Sequence, residues 1–123
     1  VWGPWETNPF ARIAHETVAG FFPDNPPGFY KVPFGYHDRD EIRRVLESAG
    51  FSAVSTEEVN LTSKIMSPDE FARGLVFGNP LYQEVTDRGG DVNEVCDAVS
   101  ASIEQELGSE MPLQAVVVTA YKN

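Results

Sequence analysis

Residues 51–65 read FSAVSTEEVNLTSKI, and the reading of this stretch decides the fold. Phe51, Ala53, Val59 and Leu61 fall on alternate positions, while Ser52, Thr56, Glu58 and Asn60 fill the others. Alternation with period two predicts a strand over Phe51–Ser63 with one wet face, bulged near Ser55–Glu58 where the pattern slips. Farther along, PLQAVVVTAYK (residues 112–122) contains the unbroken apolar run Ala115–Val118. Such a run predicts a strand, Leu113–Tyr121, that is covered on both faces. A half-wet strand and a fully apolar one are expected to pair antiparallel, the first as the outer and the second as the inner strand.

The rest of the chain is punctuated for helices. Asp38 stands three residues before Glu41 as a capping box, Ile42, Val45, Leu46 and Ala49 recur at helical spacing, and Gly50 supplies a stop. This predicts an amphipathic helix, Asp38–Ala49, lying flat on a sheet and handed through Ala-Gly-Phe to the strand. Asn8-Pro9 is a capping residue followed by proline at the first helical position, and Phe10, Ile13, Ala14, Thr17, Val18 and Phe21 continue one face to about Gly20. The segment PDNPPGFYKVP (23–33) is read as a loop without regular structure. Ser67-Pro68-Asp69-Glu70 opens a helix that stops at Gly78, Asn79-Pro80 opens another that ends at Gly89-Gly90, and Asp91 with Glu94 caps a longer one closed by Gly108. The expected fold class is α+β: an antiparallel strand pair with four to five helices, residues 1–123 forming a single domain.

Composition narrows the function classes. Nine Lys and Arg against 19 Asp and Glu give a net charge of −10, which opposes nucleic-acid binding because that relies on neutralising phosphates. No apolar run approaches the roughly 20 residues that span a bilayer, so no membrane partner is expected. The start shows no basic region followed by an apolar one, and the single Cys96 has no internal disulfide partner. Both fit a cytoplasmic location. Cys96 falls on an apolar helical face and reads as a buried structural thiol, and no His, Cys and carboxylate set has metal-ligand spacing.

Taken in order, VWGPWETNPFARIA (1–14), VPFGYHDRDEIRRVLESAGF (32–51), SPDEFARGLVFGNPL (67–81) and PLQAVVVTAYK (112–122) resemble the C-terminal half of a class I S-adenosylmethionine-dependent methyltransferase. The resemblance is to the small-molecule, ubiquinone/menaquinone methyltransferase-like branch of that Rossmann-like fold, and it extends over the whole chain. It implies that Val1–Gly3 is the tip of a fifth strand, Leu113–Tyr121 an inserted last strand, and Phe51–Ser63 its neighbour toward the edge. Helices between Ser67 and Leu107 would cap the substrate side. The family holds its donor on a Gly-rich loop after the first strand, and no G-x-G stands in this sequence. The resemblance thus implies that the donor-binding half is absent, that S-adenosylmethionine belongs to the full-length enzyme, and that this chain alone is inactive.

Seven residues are candidates for substrate contact: Trp2, Trp5, Asn8, Phe34, His37, Phe77 and Tyr82. The first three lie just past the implied strand end, where open α/β sheets place ligands. Phe34-Gly35-Tyr36-His37 precedes a helix start, and an imidazole there can serve as a general base or simply face solvent. Phe77 and Tyr82 would be pocket walls or core. His15 falls among polar neighbours in mid-helix and is expected to be exposed. No catalytic residue or cofactor-binding residue is assigned. The alternative reading is a non-catalytic α+β module that forms homodimers through the unguarded edge of the Val116–Val118 strand.

Overall fold

The computed structural model describes residues 1–123 in the order α1 (Pro9–Ala19), a 3-10 turn (Phe29–Lys31), α2 (Arg39–Ser48), β1 (Phe51–Lys64), α3 (Pro68–Phe77), α4 (Leu81–Asp87), α5 (Val92–Glu106) and β2 (Glu110–Lys122). The protein is α+β, with five helices and a two-stranded antiparallel sheet. None of its helices is long and apolar enough to cross a membrane.

β1 and β2 pair along their whole lengths, with Glu58 opposite Val116 and Leu61 opposite Leu113. The register shifts between Ser52 and Ser55, closer to the strand start than the alternation suggested. Ala53 takes the extra position with φ of 50°, the left-handed backbone that a bulge can require. This resets the phase of the strand. Val54, not Ala53, becomes the buried residue, and Leu61 remains 65% exposed.

β2 has a second neighbour. Trp2 bridges Ala115 antiparallel, the Val1 amino group donates to Val116 O at 3.0 Å, and Val116 N–H returns a bond to Val1 O at 2.8 Å. Gly3 N–H adds a bond to Gln114 O at 2.9 Å. β2 is therefore the middle element, with β1 on one side and Val1–Gly3 on the other. Its expected coverage on both faces is not met within this chain. Val116 is buried, but Val117 is 47% exposed, because the helical core reaches β2 only through Met111 and Leu113.

The helix starts follow their capping residues. Asp38 Oδ1 accepts from the Asp40 and Glu41 amides, Asp91 Oδ1 from those of Asn93 and Glu94, and Ser67 Oγ from that of Glu70. Each cap stabilises by about 1 kcal/mol. α1 departs from the expectation: Asn8 occupies the N-cap position without capping, since its amide is turned toward β2. α2 also departs, because only Ile42 of its apolar set is buried and Val45 is 52% exposed. The helix rests on the strand pair by one row of residues and is pinned by Arg43 to Val54 O at 2.7 Å and by an Arg39–Glu58 ion pair.

The core is divided accordingly. A large cluster joins α1, the 3-10 turn, α3, α4 and α5 with Ile65 and Met111. Ile42, Val54 and Val116 are buried outside it, between α2 and the strands. The proline-rich loop contributes to the large cluster, which its composition did not suggest. Its 3-10 turn buries Tyr30, whose hydroxyl donates to Leu75 O at 2.7 Å and accepts from Asn79 Nδ2 at 3.0 Å.

Burial pushes the Tyr30 phenol up to about 12, against a partial opposing pull from the Asn79 bond. The folded state therefore favours the neutral phenol more than the unfolded chain does. Its stabilising contribution, on the order of 2–3 kcal/mol, is complete below pH 10 and is lost as pH rises toward 12. Alkaline denaturation followed by phenolate absorbance is expected to show one tyrosine ionising only with unfolding, and Tyr30→Phe to abolish that late step. A Tyr30→Phe protein with the same late step would show the assignment to be wrong.

Candidate functional site

The turn that follows the 3-10 helix builds a small pocket. Gly35 packs so closely on the Lys31 carbonyl oxygen that a Cβ there would collide with it. That close approach, with the Gly35 N–H bonded to Val32 O at 3.3 Å, folds residues 31–35 back on themselves. Lys31, Phe34 and Gly35 then line a cavity of about 240 Å³ together with Trp5, Glu6 and His37. Trp5 and Glu6 arrive from the N-terminal segment, in the turn between Gly3 and α1, and His37 immediately precedes the α2 cap.

Three of the seven candidates predicted from sequence, Trp5, Phe34 and His37, are thus brought into one cavity. Phe34 is buried, held by Trp2 at 5.7 Å, Phe10 at 5.5 Å and Tyr30 at 6.4 Å between ring centroids. Trp5 is half-buried and rests against His15 at 4.9 Å. His15 is not the exposed residue expected from its polar neighbours. Burial, and then nearby Lys31, hold its imidazole below the ordinary value, so it is neutral at pH 7. No local pattern signals this stacking, since Trp5 and His15 meet only after α1 has formed.

The other four candidates lie elsewhere. Trp2 backs Phe34 and leaves two-fifths of its surface exposed, outside the cavity lining. Asn8 is fully buried, with Nδ2 within 3.2 Å of Gly3 O, Pro4 O and Gln114 O, and Oδ1 accepting from Gln114 N at 2.9 Å. It presents no atom to a ligand. Phe77 and Tyr82 stack on each other at 5.7 Å, with Arg73 over the Phe77 ring, and neither lines a cavity.

Residues missed by sequence reasoning are Lys31 and Glu6, both exposed, and Gly35. A lone lysine in a proline-rich loop carries no motif; only the folded turn shows where it stands. A second hollow, of about 590 Å³ and lined solely by apolar residues, runs between α2 and the free side of β2 and includes Ile42, Leu46, Val116 and Val118. No protein-family model matches the chain, and no curated protein is significantly similar to it.

Proposed function

We propose that this chain is the C-terminal portion of an S-adenosylmethionine-dependent methyltransferase acting on a small molecule, with the Trp5 pocket on the acceptor side. The observation that carries this reading is the strand order: β2 lies between β1 and Val1–Gly3 and runs antiparallel to both. That arrangement supports an inserted last strand flanked by a fifth and a sixth. The Trp5 pocket opens just past Gly3, beyond the carboxyl end of the first segment, where open sheets hold ligands. Its aromatic walls suit the positioning and water exclusion that the acceptor side must supply.

The residues present do not fit the donor. Gly50, Gly89 and Gly108, which have positive φ, follow α2, α4 and α5 as helix ends and form no backbone cradle for a nucleoside. Several hydrogen bonds of about 1 kcal/mol each are then missing, a loss of orders of magnitude in affinity. Calorimetry on the 123-residue chain is expected to show no micromolar binding of S-adenosylmethionine, and such binding would refute a donor site located elsewhere. The activity itself is tested by transfer of labelled methyl from S-adenosylmethionine by the natural gene product to small aromatic acceptors. A folded gene product that neither binds the donor nor transfers label overturns the reading.

A second reading, a non-catalytic dimeric binding module, is favoured by the wholly apolar hollow along the free side of β2. On either reading we place the protein in the reducing cytoplasm. Burial pushes the Cys96 thiol up, which leaves it protonated and unreactive there.

A further inference from the structure

The Trp5 pocket collects chemistry that is scarce in this protein. The chain carries a net charge of −10, and most of its cations are committed. Arg12 pairs with Glu16 and Arg39 with Glu58, Arg43 bonds Val54 O, and Arg88 bonds Asn25 O and Glu84 O. Arg73 lies over Phe77 and Lys122 over Phe51. The Lys31 ammonium has no ion-pair or hydrogen-bond partner, and it is the one unpartnered cation that lines a cavity.

The same cavity is lined by two flat aromatic side chains and a second nitrogen donor. Phe34 is immobilised by its three aromatic neighbours, and Trp5 is propped by the neutral His15 ring. His37 is half-buried and lines the cavity. The volume of about 240 Å³ falls below the roughly 300–1,000 Å³ typical of sites for drug-sized molecules, which selects a single ring. Glu6 lines the same cavity, is exposed and forms no ion pair with Lys31, so the lining carries one charge of each sign.

We propose that this pocket binds a one-ring aromatic carboxylate, its ring against Trp5 and Phe34 and its carboxylate toward Lys31 and His37. The methyltransferase reading gives this ligand its role as acceptor; the binding itself stands on the pocket alone. Rings prefer such offset and edge-on contacts with indole and phenyl groups, and an exposed lysine adds the modest attraction of a solvent-screened charge pair.

The test uses the 123-residue chain and benzoate, with benzamide as the neutral probe of the same shape. Binding is read from the indole N–H resonance of Trp5, assigned with Trp2→Phe, and from the Gly35 amide. Benzoate is expected to shift both saturably, with benzamide about three- to fivefold weaker, the scale of an exposed charge pair. Lys31→Gln is expected to weaken benzoate by about the same factor and leave benzamide unchanged, and the benzoate preference is expected to fall with added salt. Glu6→Gln is expected to tighten benzoate by about two- to threefold.

Both substituted residues are exposed, and a dispersed spectrum shows that each variant is folded. Equal binding of the two probes, an unchanged Lys31→Gln protein, or absence of saturation overturns the proposal. So does weaker binding in Glu6→Gln, which would mark a ligand with its own cation. No methyl donor is needed. Benzoate binding in a gene product without methyl transfer therefore overturns only the enzymatic reading, and methyl transfer without benzoate binding overturns only the pocket.

Discussion

Replacing Asn8 by alanine is expected to lower the unfolding free energy by about 3–5 kcal/mol, measured by urea titration. The side chain is fully buried and joins four backbone groups: the carbonyls of Gly3, Pro4 and Gln114, and the Gln114 amide. Truncation leaves the Gln114 amide without its acceptor and removes the amide that ties the carbonyls together. Each buried group so stranded costs about 1–3 kcal/mol, and the cavity adds to that. Hydrogen exchange should localise the damage, since the Val116 amide depends on Val1 staying docked. Asn8→Asp is expected to be no better, because it keeps the acceptor but discards both donors and buries a charge. A loss below about 1 kcal/mol would mean that the clamp contributes little beyond one ordinary hydrogen bond.

The second large effect concerns association. Along β2, Gln114 and Val116 bond toward the N-terminal segment, so alternation aims the N–H and C=O groups of Val118 and Ala120 the same way, past Val1. This open edge borders the apolar hollow under α2, where Val45 is half exposed. We propose that in the 123-residue chain by itself, where no longer fifth strand covers this edge, a second copy occupies it, its β2 edge laid antiparallel against the first and continuing the line of the Val1–Trp2 bridge. Sedimentation at tens of micromolar is expected to give twice the monomer mass. Ala120→Pro should return it to the monomer with its helix content intact, because proline is tolerated where the missing N–H faced outward. A wild-type chain that stays monomeric removes both the edge pairing and the dimeric-module reading.

Most of the fold was legible because its signals are local. Asp38, Ser67 and Asp91 cap the helices they were read to start, and the alternating and apolar runs became the two paired strands. Long-range geometry was not legible. The bulge at Ala53 moved the inward position to Val54, an effect that one extra residue imposes and no alternation count reveals. Asn8 carries the signature of a helix cap, yet β2, more than a hundred residues away, offered its amide better partners. Of the candidate site, the aromatic members and His37 could be picked out by residue type. Lys31 and Glu6 could not, because an exposed charge acquires a role only from what the folded chain sets beside it.

The central place of β2 also sets an order of events during synthesis. Both of its neighbours, Val1–Gly3 and β1, leave the ribosome before it does, with α1 and α2 between them and α3, α4 and α5 between β1 and β2. The helices can begin to associate as they emerge, but none of the hydrogen bonds that join β2 to β1 or to Val1–Gly3 can form until β2 has been made. Until then β1 is a solitary strand of 14 residues, kept soluble by Thr56, Glu57, Glu58 and Asn60 along its length. Pairing residue 1 with residue 116, 115 positions apart, carries a large loop-closure entropy, so the docking of Val1–Gly3 on β2 is expected to follow helix docking. A ribosome stalled before Glu110 would therefore hold a helical cluster whose N-terminal segment, and the pocket that Trp5 helps to wall, still await their support.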